Sequence, residues 1–185
     1  MKYLQVISLL LTLCGLSACD VSGGKEVNEN EAKYTTSDAS ELFFKNVRSI
    51  YYDKSAMAEA KLDIYRIKER LEVEDYPLLN LSIVVNWRYD EAYVLTEPNP
   101  YLQQMDTIQV IWQDTTNNQG GTYQFTQGNK DAHFRFATQL YRSLQAEHQL
   151  YILEEDEQVK FMNRRDAREP FRKTMVDYFR LVDLL

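Results

Sequence analysis

The residues with the most obvious catalytic potential are His133 and His148, the only histidines in the chain. Histidine serves as a general base near neutral pH and as a zinc ligand. A zinc site needs three or four ligands, usually from close pairs, whereas these two residues fall at the start and the end of one expected helix. We therefore interpret both as surface or helix-capping residues and predict no metal site and no cofactor.

Acidic residues offer a second kind of chemistry. Asp90 and Glu91 are adjacent in an expected turn, whereas glycosidase carboxylates face each other at about 5–10 Å across a cleft. The acidic run at 154–157 lacks the alternating ligands and the glycine of a calcium loop and is interpreted as a solvated hairpin tip. No serine lies in a G-x-S-x-G motif. The sequence therefore predicts no catalytic residue and favours a protein that is not an enzyme.

Aromatic and basic residues indicate binding instead. The chain has 13 Tyr, 8 Phe and 2 Trp, and such side chains either fill a core or form contact surfaces. Four arginines between residues 164 and 172 form either a surface salt-bridge network or an anion-binding cluster. The candidate partner contacts are Trp87, Trp112, Arg164, Arg165 and Arg168.

The N-terminus carries the most specific motif. Met1-Lys2 precedes an apolar run over residues 4–13, about half of the roughly 20 residues that span a bilayer. Small residues follow, and the segment ends in Leu16-Ser17-Ala18-Cys19. This tetrapeptide resembles the lipobox of bacterial lipoproteins. The alternatives are an ordinary secretory signal, with Cys19 present by chance, and a buried first helix.

The resemblance implies a location. In lipoproteins the cysteine thiol becomes a diacylglyceryl thioether and the chain is cut before it, so residues 1–18 would be a signal peptide and Cys19 the lipidated residue. Two or more acyl chains hold a protein firmly to a membrane. We expect attachment through the N-terminal lipid in a bacterial cell envelope. Asp20 is similar to an inner-membrane retention signal, but either membrane remains open.

Cysteine content and charge exclude several classes. Cys14 and Cys19 are the only cysteines, so the mature domain would have no free thiol, no disulfide and no cysteine-ligated metal. The formal net charge of −7 becomes −8 when Lys2 is lost with the signal peptide. An acidic domain is a poor nucleic-acid binder, and we predict no such partner.

Downstream, residues 19–40 are rich in glycine, serine and acids and are predicted to form a flexible linker with a reach of about 25 Å. Residues 41–185 then form one predicted domain. A helix is expected at 40–52, with a strand as the alternative, and the ambiguous stretch 61–71 favours a helix.

Later segments are clearer. Expected strands occupy 79–87, 93–95, 107–112, 122–126, 150–153 and 159–162, with a turn at 117–121. Helices are expected at 130–147 and from Glu169 to the C-terminus. This order predicts an α+β fold, a mostly antiparallel sheet with helices packed on one face.

Two function classes are compatible with these features. The first is a non-enzymatic binding or scaffold module of the cell envelope that holds a protein partner or an envelope component near the membrane. The second is an envelope hydrolase or carbohydrate-acting protein, which would need a cleft with converging carboxylates. The sequence favours the first.

Overall fold

The fold combines three α-helices with eight β-strands, in a computed structural model that describes residues 26–155 and 157–185. The helices are α1 (Asp38–Phe43), α2 (Lys130–Gln145) and α3 (Arg165–Leu181). The strands are β1 (Tyr52–Met57), β2 (Leu62–Ile67), β3 (Leu79–Asn86), β4 (Glu91–Pro98), β5 (Ile108–Asp114), β6 (Gln119–Phe125), β7 (Gln149–Glu154) and β8 (Glu157–Phe161). The predicted signal peptide and Cys19 lie outside the described residues.

The strands form two antiparallel sheets of four strands each, with the orders β1-β2-β3-β4 and β6-β5-β7-β8. The predicted α+β class is therefore confirmed, although two sheets replace the single expected sheet. Helix α2 packs against β4 and β6, and α3 packs against β3 and β4. One continuous apolar cluster contains side chains from both sheets and from the helices that pack against them.

Local sequence explains the elements that were predicted well. Alternate residues Leu81, Ile83 and Val85 of β3 enter the core, as expected for a strand of period two. Helix α2 starts after Asn129, whose side chain accepts a hydrogen bond from the Ala132 N–H and satisfies one free donor of the first turn.

The helix predicted at 61–71 is wrong, because residues 62–67 form β2. This strand pairs with β1 on one side and β3 on the other, so partners from distant sequence decide its conformation. Tyr65 and Ile67 point to the core, whereas Ile64 lies on the other face of the sheet and is half-buried. The spacing of Ile64, Ile67 and Leu71 that favours a helix is coincidental.

Two helix boundaries also differ. The predicted helix at 40–52 begins at Asp38 and is α-helical only to Phe43, after which Phe44–Arg48 form a π-helical turn and Ser49–Tyr51 a 3₁₀ turn. Helix α3 begins at Arg165 rather than Glu169, so Pro170 lies inside it.

The expected flexible linker ends earlier than residue 40. Val27 is only 7% exposed and belongs to the apolar cluster. Glu29 accepts a hydrogen bond from the Gln139 amide at 2.9 Å, and the Tyr178 hydroxyl donates to the Lys33 carbonyl at 2.9 Å. Residues 26–37 are therefore part of the folded unit, a feature their polar composition conceals.

Candidate functional site

A cleft of about 640 Å³ opens between the second sheet and the C-terminal half of α2. Its aromatic lining consists of Trp112 from β5, Tyr123 from β6, Tyr141 from α2, and His148, which precedes β7. Clefts of roughly 300–1,000 Å³ with apolar walls and a few polar groups are the usual form of small-ligand sites. We therefore take this cleft as the candidate functional site.

The position of the Trp112 side chain depends on a glycine. Gly121 lies directly opposite Trp112 in the β5–β6 register. A Cβ atom at position 121 would lie 2.8 Å from the indole Nε1, closer than real Cβ contacts allow. Gly121 was expected in a turn, but it lies in β6, where its missing side chain makes room for the indole.

Three rings then lie nearly parallel. The Trp112 and His148 ring centroids are 4.7 Å apart with an interplanar angle of 16°. The Trp112 and Tyr123 ring centroids are 6.2 Å apart with an interplanar angle of 21°. Stacked arrangements are favourable for aromatic pairs, and together the three rings form an aromatic stack at the side of the cleft.

A buried serine fixes two of these rings. Ser143, only 1% exposed on α2, has its Oγ 2.9 Å from the Tyr123 hydroxyl and 3.2 Å from Nδ1 of His148. The His148 backbone N–H also donates to the Ser143 carbonyl at 2.9 Å. Burial raises the pKa of Tyr123, which keeps its hydroxyl protonated. The aromatic stack is thus held in place before any ligand binds.

Charged residues form the rim of the cleft. Arg142 of α2 makes ion pairs with Glu29, at 2.9 Å, and with Glu26. Both glutamates lie within residues 19–40, which were predicted to be a flexible linker. The site therefore includes residues adjacent to the predicted membrane attachment.

The predicted partner contacts fall in different places. Trp112 lies in the cleft, whereas Trp87 is exposed in the β3–β4 turn with the Lys61 ammonium 4.9 Å from its ring centroid. Arg168 is half-buried, and its guanidinium donates to the His148 carbonyl at 3.1 Å and to the Met162 carbonyl. Arg168 therefore helps to fix the backbone of His148, which lines the cleft.

The other two arginines lie apart from the cleft. Arg164 and Arg165 line a charged depression at the start of α3, and Arg164 makes an ion pair with Asp166. Arg164 and Arg165 are both exposed.

His133 is buried, contrary to the expected surface or capping role. Its Nδ1 accepts a hydrogen bond from the Thr96 N–H at 3.1 Å and lies 2.8 Å from the Thr96 hydroxyl. Burial lowers the pKa of His133, which favours the neutral ring. The ring also contacts Phe125, with centroids 5.0 Å apart, so His133 joins the two sheets through α2.

Catalytic alternatives are weakly supported near the cleft. The Ser143–His148 contact resembles a nucleophile–base pair, but the Ser143 hydroxyl is buried and already bonded to Tyr123. Asp114 is engaged with its own turn, where hydrogen bonds from the Thr116 backbone N–H and from the side chain and backbone of Asn117 lower its pKa. Each of these groups is held by structural contacts.

Metal binding and membrane spanning were assessed over residues 26–155 and 157–185. Within them no group of three or more His, Cys, Asp or Glu residues could hold a metal ion. No helix in the same residues is long and apolar enough to cross a membrane. No protein-family model, characterised protein or solved structure matches the chain.

Proposed function

We propose that the protein is a membrane-tethered bacterial lipoprotein that acts as a non-enzymatic binding module of the cell envelope. The aromatic cleft binds the partner, and the lipid on Cys19 keeps the cleft close to the membrane. The observation that carries this proposal is the preformed cleft lined by the stacked rings of Trp112, Tyr123 and His148.

The chemistry of the cleft limits its ligands. The stacked rings give the cleft an apolar side, which favours a ligand with apolar groups. At the rim, the Gln145 amide and the ion-paired Arg142 supply polar groups for hydrogen bonds. An aromatic side chain of a partner protein or the face of a sugar ring meets both requirements. The net negative charge disfavours polyanions.

Intrinsic fluorescence tests this role. In a Trp87→Phe background, Trp112 is the only tryptophan, so its emission reports on the cleft alone. We expect soluble peptidoglycan fragments, envelope glycans or peptides with aromatic residues to change the emission saturably. Matched Gln145→Ala and Gln158→Ala variants provide the control, because Gln145 lines the cleft and Gln158 lies in β8. Equal responses in both variants would argue against binding in the cleft.

The alternative function, an envelope hydrolase, draws support only from the 3.2 Å contact between Ser143 and His148. A fluorophosphonate probe labels activated serines and distinguishes the two functions. We expect no labelling, because Ser143 is buried and bonded to Tyr123. Labelling that disappears in Ser143→Ala would favour the hydrolase.

Membrane attachment has its own test. We expect Cys19→Ser to move the protein from the washed membrane fraction to the soluble fraction, because the acyl chains supply the firm attachment. Unchanged firm attachment would contradict lipidation at Cys19.

A further inference from the structure

Helix α1 and the two turns that follow it present an unusual apolar surface. Within ten residues, five large apolar side chains are between 44% and 61% exposed: Leu42, Phe43, Val47, Ile50 and Tyr51. Scattered exposed apolar residues are normal on soluble proteins, whereas a clustered set marks a contact surface. We call these five residues the α1 face.

The α1 face is held rigidly by contacts on its inner side. Phe44 is buried and packs edge-on against Tyr65, with ring centroids 5.1 Å apart. Arg48 forms a two-pronged ion pair with Asp177 at 2.7 and 3.0 Å. Because Phe44 and Arg48 bound the π-helical turn, these anchors fix its orientation and direct the α1 face outward.

The distance to the predicted lipid indicates what covers this face. Seven peptide bonds join Cys19 to Glu26, the first described residue, so they span at most about 25 Å. A folded unit of this size is on the order of 40 Å across. A domain on so short a connection stays beside the bilayer surface, and one of its sides rests near the headgroups.

The N-terminal segment and α1 reach the same part of the domain. The Lys33 ammonium donates to the Asp183 carbonyl at 3.3 Å, and the Ser40 hydroxyl donates to the Leu181 carbonyl at 2.7 Å. Because Leu181 and Asp183 are two residues apart, the start of α1 lies roughly 10 Å from the contact made by Lys33. The tether enters at Glu26, seven residues before Lys33 and beside Arg142, and its span of up to about 25 Å lets the α1 face reach the bilayer.

We propose that the α1 face lies in the interfacial layer of the phospholipid membrane to which Cys19 attaches the protein. This inference rests on the proposed lipid tether. Leucine, isoleucine and aromatic side chains flanked by cations are typical of helices that bind at the interface. The flanking cations are Lys45, which pairs with Glu41 at 2.7 Å, Arg48, which lies 4.8 Å from the Tyr51 ring centroid, and Lys68, which donates to the Ile50 carbonyl at 2.9 Å.

The contact orients the domain as well as strengthening attachment. A tether alone permits rotation about the lipid, whereas an interfacial α1 face fixes which side meets the bilayer. The net charge of the domain is repelled by anionic headgroups, so the apolar face must supply the attraction. We therefore expect the affinity of the unlipidated chain for vesicles to be modest and only weakly dependent on salt.

Vesicle flotation tests the proposal without the lipid. The mature chain carrying Cys19→Ser is mixed with vesicles of phosphatidylethanolamine and phosphatidylglycerol at a 3:1 ratio. We expect measurable co-flotation that falls about tenfold or more in Leu42→Ser/Ile50→Ser, since these are the two most exposed side chains of the α1 face. The matched control is Met57→Ser/Tyr89→Ser, which removes comparably exposed side chains near the hairpin tips, and it should change flotation less than twofold.

Each other outcome has a clear meaning. Absence of co-flotation, or equal flotation of the two double variants, overturns membrane contact by the α1 face. A dimer in sedimentation that only Leu42→Ser/Ile50→Ser dissociates would assign the face to a second copy of the chain and also overturn the proposal. Equal thermal midpoints show that all variants fold. Lipidation is checked separately, on the native protein: a Cys19 that carries no lipid would show that the proposed tether is wrong, whatever the flotation result.

Discussion

Asp177 provides the sharpest test of how the structure is held together. Its side chain is 1% exposed and accepts hydrogen bonds from Arg48 Nε and Nη2, at 2.7 and 3.0 Å, and from the Tyr52 hydroxyl at 2.7 Å. The hydrogen bonds to Asp177 raise the pKa of Arg48, and burial raises that of Tyr52, so both donors stay protonated. The buried carboxylate is fully satisfied only while Arg48 is present.

Replacing Arg48 with methionine keeps an apolar stem and removes both guanidinium donors. Breaking a buried ion pair from one side typically costs 3–5 kcal/mol, because the remaining charge is uncompensated. At about 2–4 °C per kcal/mol for a protein of this size, the thermal midpoint should fall by roughly 6–20 °C. Much of this loss should return in Arg48→Met/Asp177→Leu, which removes the charge as well.

Urea unfolding followed by far-ultraviolet circular dichroism measures these differences directly. The control is Lys173→Met, which removes an ion pair with Glu69 between two exposed side chains and should cost less than about 1 kcal/mol. If Arg48→Met costs no more than this control, or if the double variant is as unstable as the single one, the reasoning about Asp177 is refuted.

Two further predictions concern the sheet junction and the cleft. The folded-state pKa of His133 lies below its unfolded value of about 6.5. The stabilising effect of the neutral, buried ring is therefore present above that pH and is lost as the pH falls toward the folded-state pKa. The urea midpoint of the native protein should decline on acidification, and that of His133→Gln should decline less. An identical decline in both proteins would contradict a neutral His133 bonded to Thr96. Gly121→Ala should displace the Trp112 indole, shift its emission maximum in the Trp87→Phe background and weaken ligand binding, since the added Cβ would lie 2.8 Å from Nε1. An unchanged spectrum would show that Gly121 does not position the ring.

The cleft and the predicted membrane anchor are connected by one stretch of chain. Glu26 and Glu29 hold Arg142 at the rim of the cleft, and Glu26 is also the first described residue after the predicted attachment point. Under the proposed function, a ligand in the cleft is therefore bound close to the membrane surface.

Sequence patterns predicted the elements whose signals are local. Strand β3 alternates apolar residues over eight positions, and α2 repeats them at three and four without glycine or proline. Strand β2 was missed because pairing with β1 and β3 outweighs its helical spacing. The ordered segment 26–37 was missed because it is held by isolated side chains such as Val27 and by backbone hydrogen bonds to distant residues, such as the one from the Ala92 N–H to the Tyr34 carbonyl at 2.7 Å.

The candidate site was predicted only in part. Trp112 was singled out by residue type, but its neighbours Tyr123 and His148 are brought to it by strand register and by the end of α2. The opposition of Trp112 and Gly121 across a hairpin is a signal that the sequence does contain. This pairing can be recognised only when the register of β5 and β6 is known.

Site-specific photocrosslinking in cells tests the central claim most directly. A photoreactive amino acid is placed at Gln145, on the exposed rim of the cleft, and in a second protein at Tyr89, in the β3–β4 turn. The account predicts a discrete adduct with one envelope component from position 145 that is absent from position 89 and disappears when Trp112→Ala is added. The same adducts from both positions, or an adduct at 145 that survives Trp112→Ala, would contradict binding through the aromatic cleft.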